Sequence, residues 1–296
     1  MKNSKNLTDE VLRLVEKHGT KWSLIAELTG ENADKVRSIY RRFSSKNVSS
    51  DVTKIAFPTD QHHPFVDKRA QEVALKIVED FAPDILVEGS DTFDFYSLSC
   101  FDKNPHRLYE NSVKHEITEW KKSMRKWVDA APNAERYFLI GNHEERWYRE
   151  LYRTMFYDAI RLETLCEFEK FDIEFAKNNE VIVGNKLIIH HGTKVSKYSA
   201  YSAKIELESM MGYSSLSGHT HRGGTHYVTI RNQNFVAQEG FCLCDTNPGY
   251  VKNPNWQQGI CLANVSDYGV HFEPIQIFTT TFGKKFAYWR DKKYVA

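Results

Sequence analysis

The hydrophobic and polar positions along the chain predict two regions of different architecture. Between residues 7 and 43 the pattern favours three short helices. The last of these carries four apolar residues at helical spacing on one face: Val36, Ile39, Tyr40 and Phe43. From Val52 onwards, short apolar runs of strand length alternate with amphipathic helical stretches, and the second half is mainly strands. This order predicts an α/β domain that ends in a sheet-rich half, preceded by a small all-α domain.

The predicted elements divide the chain at a polar, serine-rich stretch. The predicted strands span residues 54–58, 85–88, 137–140, 187–191, 214–217, 227–230, 259–265 and 271–278. The predicted helices of the larger domain span about residues 67–81, 108–130, 145–167 and 199–211. The predicted domains are residues 1–45 and 52–296, joined by a linker at 46–51.

Side chains that commonly bind metal ions follow five of the predicted strands. The groups are Asp60-Gln61-His62, Asp91 with Asp94, Gly141-Asn142-His143-Glu144, His191-Gly192 and Gly218-His219-Thr220-His221. Each group alone is a weak signal, because a single histidine on a strand is usually a packed core residue. Strand ends that converge on one edge of a sheet are where α/β folds build their sites. The five groups together therefore predict one common site.

The ordered pattern DxH, GDxxD, GNH(D/E), HG and GHxH resembles that of the calcineurin-like metallophosphoesterase superfamily. The match covers about residues 54–226, and residues 94–97 and 141–146 are similar to phage-encoded members. The resemblance implies a β-sandwich flanked by helices, with two metal ions at its edge. It implies that one ion is held by Asp60, His62, Asp91 and His221. It implies that the other is held by Asp91, Asn142, His191 and His219, so that Asp91 bridges the two.

The resemblance also implies a mechanism, in which a hydroxide between two cations attacks phosphorus in line. His143 would protonate or stabilise the leaving oxygen, and Asp94 would orient His143, although Asp94 could instead be a helix-capping or loop acid. Ligands of nitrogen and oxygen without a thiolate favour Mn²⁺, with Fe or Zn²⁺ as alternatives, over Mg²⁺. Ser90 stands where the family has glycine; we expect the ligand Asp91 to survive, with the geometry of the turn left open.

The predicted N-terminal domain is basic, although the formal net charge of the chain is only +1. Its third helix carries the basic residues Lys35, Arg37, Arg41 and Arg42. With Trp22 in the middle helix, this segment resembles a Myb/SANT or homeodomain-like helix-turn-helix module, which implies contact with DNA. The alternative is a three-helix bundle that docks a protein, with a basic face that is merely solvated.

Composition and cysteine content indicate a globular protein of a reducing compartment. The chain is 41% hydrophobic and 27% charged. No stretch approaches the ~20 apolar residues that span a bilayer, and the first residues lack the apolar run of a signal peptide. The five cysteines form no CxxC pair, so we expect reduced, mostly buried thiols. We expect a cytoplasmic protein of a bacterium or a phage-infected host, without membrane contact; the oligomeric state is left open.

Three functions remain open from the sequence. The favoured one is a phosphodiesterase or nuclease that acts on DNA, and the alternative is a phosphomonoesterase or nucleotidase that acts on small molecules. A non-catalytic DNA-binding protein is disfavoured, because every expected ligand position is filled. Three arginines beside the ligand motifs are predicted to contact substrate phosphate: Arg146, Arg149 and Arg222. Lysines and tyrosines at 194–201 resemble the residues that bind single-stranded nucleic acid, whereas Trp120 and Trp127 are predicted to lie in the core.

Overall fold

A computed structural model describes residues 4–19, 21–33, 35–37, 39–40, 52–99, 112–154, 160–210, 212–247 and 253–296. The chain divides into two compact units, of which the first contains Met1–Asp51 and the second contains Val52–Ala131 and Glu135–Ala296. The linker predicted at 46–51, together with Arg41, Arg42 and Cys100, lies outside the described residues. The four described cysteines are buried and form no disulfide.

The first unit is helical and has its own small core. Helix α1 spans Ser4–His18, helix α2 spans Trp22–Thr29, and residues 33, 35–37 and 39–40 are also helical. Gly30 ends α2 in the left-handed conformation that glycine adopts without steric cost, with φ of 71°. The buried core residues are Leu7, Val11, Leu14, Val15, Trp22, Ile25, Ala26 and Val36. The all-α character agrees with the sequence, while the helix-turn-helix assignment stays a prediction.

The second unit contains the remaining helices and all strands of the described chain. The helices are α3 (Lys68–Phe81), α4 (Val113–Ala130), α5 (Glu144–Thr154), α6 (Leu162–Cys166) and α7 (Tyr201–Ser209). The first seven strands are β1 (Val52–Phe57), β2 (Ile85–Gly89), β3 (Glu135–Leu139), β4 (Ile173–Phe175), β5 (Val181–Val183), β6 (Leu187–His190) and β7 (Ser214–Ser217). The others are β8 (Gly223–Ile230), β9 (Gln233–Gly240), β10 (Gly259–Ser266), β11 (Gly269–Gln276), β12 (Phe278–Thr279), β13 (Lys285–Trp289) and β14 (Lys292–Val295). The mixed α/β fold class predicted from the sequence is confirmed.

The strands form two large sheets and one small one. The six-stranded sheet has the order β11-β10-β1-β2-β3-β4, in which β1 to β4 are parallel and β10 is antiparallel to β1. The five-stranded sheet has the order β5-β6-β7-β9-β8, in which β6, β7 and β9 are parallel. The third sheet is β12-β13-β14. In both large sheets, therefore, adjacent parallel strands bring their carboxyl ends to the same edge.

The two large sheets share one apolar core. Ile55, Phe57, Val87 and Leu139 of the first sheet belong to the same buried cluster as Leu187, Ile189 and Leu216 of the second. The sheets therefore pack face to face, as in a β-sandwich. Helix α7 packs on the five-stranded sheet through the buried side chains Ala203, Leu207 and Ala237. Trp120 and Trp127 of α4 are fully buried, which confirms their predicted place in the core.

Some predicted boundaries differ from the structure for identifiable reasons. The helix predicted at 145–167 is α5 and α6, with residues 155–159 outside the described part. Strands β4 and β5 were missed because each has only three residues, too few to show a period. Strand β9 follows β8 through Arg231 and Asn232, both at positive φ (48° and 65°), as a tight hairpin turn requires. Among the described helices, none is both long enough and apolar enough to cross a membrane.

Candidate metal centre

All seven predicted ligands lie close together where the two sheets meet. Asp60 and His62 follow β1, Asp91 follows β2, and Asn142 follows β3. From the other sheet, His191 follows β6, and His219 and His221 follow β7. The two sets make direct contact, because the backbone N–H of His219 donates to both carboxylate oxygens of Asp60 at 3.0 Å. Each set comes from neighbouring parallel strands, and this explains why residues so far apart in sequence converge.

The first half of the cluster brings two imidazoles and a carboxylate to one point. Nε2 of His221 lies 3.2 Å from Oδ1 of Asp60 and 3.0 Å from Nε2 of His62. All three side chains are buried. Nitrogen and oxygen atoms whose lone pairs converge in this way are typical ligands of a divalent cation.

The second half contains the predicted second ligand set, with Asp91 next to both halves. Asp91, His191 and His219 each offer a ligand atom within 4.8 Å of the others, and so do His62, Asp91 and His143. Nε2 of His191 lies 2.9 Å from Oδ1 of Asn142 and 3.7 Å from Oδ2 of Asp91. Nδ1 of His219 is buried without a hydrogen-bond partner in the part of the chain that the structure describes. A buried ring nitrogen without a partner is costly unless it binds something, and a metal ion satisfies it. The residues present therefore fit two metal ions.

Three of these imidazoles have a polar partner on the nitrogen that faces away from the cluster. Asp94 Oδ1 lies 3.2 Å from Nδ1 of His62, and Ser90 Oγ lies 2.7 Å from Nδ1 of His191. Cys244 Sγ lies 3.8 Å from Nδ1 of His221, on the side of the ring opposite Asp60. Such partners fix the tautomer of a ligand histidine and orient its other nitrogen toward the metal.

The ligand loops contain strained backbone positions. Asp60, His62, Asp91, His219 and His221 all have positive φ, between 48° and 72°. Left-handed backbone costs an L-residue roughly 1–2 kcal/mol, and clusters of such residues are typical of functional sites. Two glycines allow the close approach: a Cβ at Gly141 would overlap the Asp91 carboxylate, and one at Gly218 would overlap the hydroxyls of Thr59 and Ser90.

Two buried acids hold the loop that carries Asp91 and Asp94. Glu144 accepts hydrogen bonds from the backbone N–H groups of Asp91 (3.2 Å), Phe93 (2.9 Å) and Gly141 (2.7 Å). Glu116 of α4 accepts from the N–H of Phe95 at 2.7 Å. Burial, with the nearby Asp91 charge, raises the pKa of Glu144 to about 8. These two acids thus hold the loop through its backbone N–H groups.

The charges at the site favour metal binding. Burial raises the pKa of Asp91, but the imidazoles of His191 and His143 outweigh it and hold that pKa well below its usual range. Burial and the neighbouring His143 lower the pKa of His62. For His221, burial lowers the pKa, but Cys244 and Asp60 raise it on balance. Ionised carboxylates and a neutral His62 are ready to bind a cation, whereas His221 releases a proton when it does.

The predicted catalytic pair lies beside the cluster, with an arginine in contact. Nδ1 of His143 lies 2.8 Å from the carbonyl oxygen of Asp94 and 3.4 Å from its Oδ1. Arg146 Nη2 lies 2.9 Å from His143 Nε2, and Arg146 Nη1 donates to the Asp94 carbonyl at 2.9 Å. Because a guanidinium only donates, His143 Nε2 accepts in this arrangement. The contacts with His62 and His143 favour an orienting role for Asp94, which stays a prediction.

The other predicted contacts are less close to the cluster. Arg222 Nη1 donates to the carbonyl oxygen of Ser196 at 2.6 Å, so it holds the loop after β6. Arg149 is exposed on α5, and none of its described contacts joins it to the ligands. In the first unit, Lys35 is exposed and pairs with Glu31 at 2.7 Å, and Arg37 is half-buried. Whether any of these residues binds phosphate stays a prediction.

Some residues of the site were not found from the sequence. Neither Cys244 nor Glu116 was predicted to take part in the site. Trp256 packs on His221 with ring centres 4.2 Å apart. None of these three belongs to a motif. Ser90 was noticed only as a departure from the family, although a serine beside a ligand loop is a signal for a histidine partner.

Comparison with known proteins gives distant similarity only. No family model matches the chain. The gene 54 proteins of Mycobacterium phages D29 and L5 are 23% and 24% identical to it, over 75% of this chain and 91% of theirs. Among solved structures, Vps29 of Chaetomium thermophilum is 9% identical with a TM-score of 0.43, over 82% of this chain and 95% of that one. TT1561 of Thermus thermophilus is 8% identical with a TM-score of 0.34, over 75% and 99%. Similarity at these levels carries no argument, so the site is interpreted from its own geometry.

Proposed function

We propose that this protein hydrolyses phosphate esters with two divalent metal ions, and that its substrate is a phosphodiester of DNA. The orientation of the imidazoles carries the proposal: His62, His191 and His221 each have a partner on the outer nitrogen and face the two carboxylates with the inner one. Their donor atoms are nitrogen and oxygen, which supports Mn²⁺, with Fe and Zn²⁺ as alternatives for metal analysis to distinguish.

The chain's own residues divide the work at this site. Two bound cations supply a nucleophilic hydroxide at neutral pH and neutralise charge on the phosphoryl oxygens. Asp91 lies close to candidate ligand atoms in both halves of the cluster, so it fixes the distance between the two halves. His143 holds a proton for the leaving oxygen, and Asp94 orients its ring through Nδ1. Proton delivery from Nε2 requires that Arg146 leave that nitrogen and that His143 take up a proton there; a substrate phosphate is the group that would attract the Arg146 guanidinium.

One substrate panel tests this proposal. Purified protein with Mn²⁺ is assayed on bis-p-nitrophenyl phosphate, p-nitrophenyl phosphate, and single- and double-stranded DNA. We expect cleavage of the diester and of DNA. A monoester cleaved far faster than the diester, with intact DNA, would favour the phosphomonoesterase, and no cleavage by the metal-loaded protein would refute both.

A pair of adjacent histidines supplies the matched variants. His191→Ala should lose one metal ion and nearly all turnover, whereas His190→Ala, which removes a buried histidine outside the ligand set, should keep both ions. Metal content by mass spectrometry and circular dichroism of both variants separate loss of the site from loss of the fold. A fully active His191→Ala variant that holds two ions contradicts the ligand assignment.

The proposed DNA contact of the first unit needs its own test. Lys35, Arg41 and Arg42 are replaced together by alanine in the full chain, and exposed Lys177 and Lys186 serve as the control pair. If the first unit binds DNA, the first variant has lower affinity and a smaller salt dependence, because fewer phosphates are neutralised. Unchanged affinity and salt dependence exclude this role.

A further inference from the structure

The segment 193–205 carries several exposed side chains that are basic or aromatic. The segment contains no acidic residue, and five of its residues make up what we call the tyrosine–lysine surface: Lys194, Lys197, Tyr198, Tyr201 and Lys204. The exposed fractions of Tyr198 and Tyr201 are 60% and 56%. Both rings are therefore accessible to a ligand.

The backbone beneath these side chains is held by buried polar groups. Glu206 accepts hydrogen bonds from the N–H groups of Thr193 (2.5 Å) and Lys194 (2.8 Å). Glu239 accepts from the N–H of Ala200 at 2.8 Å, and Arg222 donates to the carbonyl oxygen of Ser196. Exposed side chains on a fixed backbone are pre-organised, so a ligand orders less of the chain when it binds.

The tyrosine–lysine surface is joined to the metal centre at two points. Thr193 lies two residues after the candidate ligand His191, and Arg222 directly follows the candidate ligand His221. The hydrogen bond from Arg222 to Ser196 therefore connects the loop after β7 with the loop after β6. The backbone that carries this surface is therefore linked to both ligand loops of the second sheet.

Each tyrosine has a lysine next to its ring. Nζ of Lys197 lies 5.3 Å from the ring centre of Tyr198, and Nζ of Lys204 lies 5.9 Å from that of Tyr201. The two rings are 6.0 Å apart and inclined by 61°, as an edge-to-face pair. Aromatic faces that stack on bases, beside cations that neutralise phosphates, are how proteins bind single strands. Bases in a duplex are paired and stacked, which leaves no face for these rings.

We infer that the tyrosine–lysine surface binds a single-stranded segment of the nucleic-acid substrate next to the phosphate that is cleaved. The inference rests on the proposed function and specifies its substrate class. Tyr198 and Tyr201 stack on two bases, and the lysines contact the backbone between them. The selected substrate is a single strand, or a single-stranded region within a duplex.

Base stacking is tested by comparing a strand that has bases with one that has only the sugar–phosphate backbone. Binding of a fluorescent oligo-dT and of an abasic strand of equal length is measured in EDTA, for the wild type and for Tyr198→Ala/Tyr201→Ala. The wild type should bind oligo-dT more tightly than the abasic strand. The double variant should bind oligo-dT at least about tenfold more weakly and the abasic strand nearly as before, because stacking on an aromatic ring is lost.

The chain offers a matched control for exposure and charge. Tyr288 is 62% exposed and has Lys293 Nζ at 5.7 Å from its ring, and Tyr268 is 95% exposed. Tyr268→Ala/Tyr288→Ala should bind both strands as the wild type does. Lys194→Ala/Lys197→Ala should reduce the slope of log affinity against log salt by about 1.4, at about 0.7 for each phosphate contact.

The outcomes separate this inference from the proposed function. Equal binding of oligo-dT by the wild type and the Tyr198/Tyr201 variant overturns the inference, and so does a wild type that binds neither strand or does not distinguish them. Turnover of bis-p-nitrophenyl phosphate by the wild type and the control variant judges the proposed function independently. A protein that cleaves this diester but shows no dependence on the two tyrosines keeps the function and loses the surface.

Discussion

Replacing Ser90 with glycine should separate metal affinity from stability. Ser90 lies at φ of 62°, and its hydroxyl is 2.7 Å from Nδ1 of His191. Glycine removes the hydroxyl, which accepts the ring proton when Nε2 of His191 faces the metal. It also removes the Cβ that makes this left-handed backbone costly. The substitution therefore affects the ligand and the chain in opposite directions.

The expected changes in stability and in metal affinity are distinct enough to be measured separately. Relief of left-handed strain stabilises the folded chain by roughly 1–2 kcal/mol, and the greater freedom of glycine in the unfolded chain offsets about 0.5–1 kcal/mol of that. Metal-free stability should therefore rise by about 0–1.5 kcal/mol. Loss of a polar partner from a ligand histidine typically weakens metal binding 10- to 100-fold, or roughly 1.4–2.7 kcal/mol.

Calorimetric titration of Mn²⁺ into EDTA-treated, dialysed protein measures the affinity, and thermal unfolding without metal measures the stability. Ser123→Ala is the matched control, because its buried hydroxyl interacts with Gln71 at 2.5 Å and none of its described contacts is to a ligand. That variant should lose about 1 kcal/mol of stability and keep its metal affinity. Wild-type affinity for both ions in Ser90→Gly would refute the orienting role of Ser90.

Three further changes test other parts of the structure. Burial raises the pKa of Glu88 to about 8 from 4.5 in the unfolded chain, so its contribution to stability is complete below pH 4.5 and is lost as the pH rises toward 8. Relative to wild type, metal-free Glu88→Gln should gain up to roughly 5 kcal/mol of unfolding free energy over that interval in denaturant titrations, and a constant difference contradicts this. Gly141→Ala should lose bound metal in mass spectrometry, because the new methyl group overlaps the Asp91 carboxylate; two retained ions contradict the close packing. Cys244→Ala should weaken binding of the ion held by His221 about tenfold in calorimetry, and unchanged affinity would show that the thiol does not position this ring.

The sequence predicted those parts of the fold that depend on local pattern. Strand β7 was predicted at its observed bounds, and β1, β2 and β3 within a few residues. Each of these strands directly precedes one of the ligand motifs, which marks where it ends. Strands β9, β13 and β14 were missed, and β12, with two residues, is too short to show a period. The place of β13 and β14 is determined by contacts with α3 and β11, which are not local in sequence.

The residues of the site likewise include some that the sequence predicted and some that it did not. The seven candidate ligands belong to short motifs, so their convergence could be inferred from strand ends alone. Cys244 and Glu116 contact the site only because the folded chain brings distant segments together, and no spacing rule identifies them. Arg222 was predicted from its position beside His221 to contact phosphate; in the structure its guanidinium donates to the Ser196 carbonyl oxygen, and the phosphate contact stays a prediction.

The antiparallel pairing of β1 with β10 has a consequence for how the protein is synthesised. All candidate ligands leave the ribosome before β10, yet β10 is the strand that borders β1 on the side away from β2. A premature stop codon shortly after His221 would therefore yield a polypeptide with every ligand and an incomplete sheet. The motifs are therefore complete earlier in translation than the site, because β10 must also be synthesised before the first ligand loop has its full support.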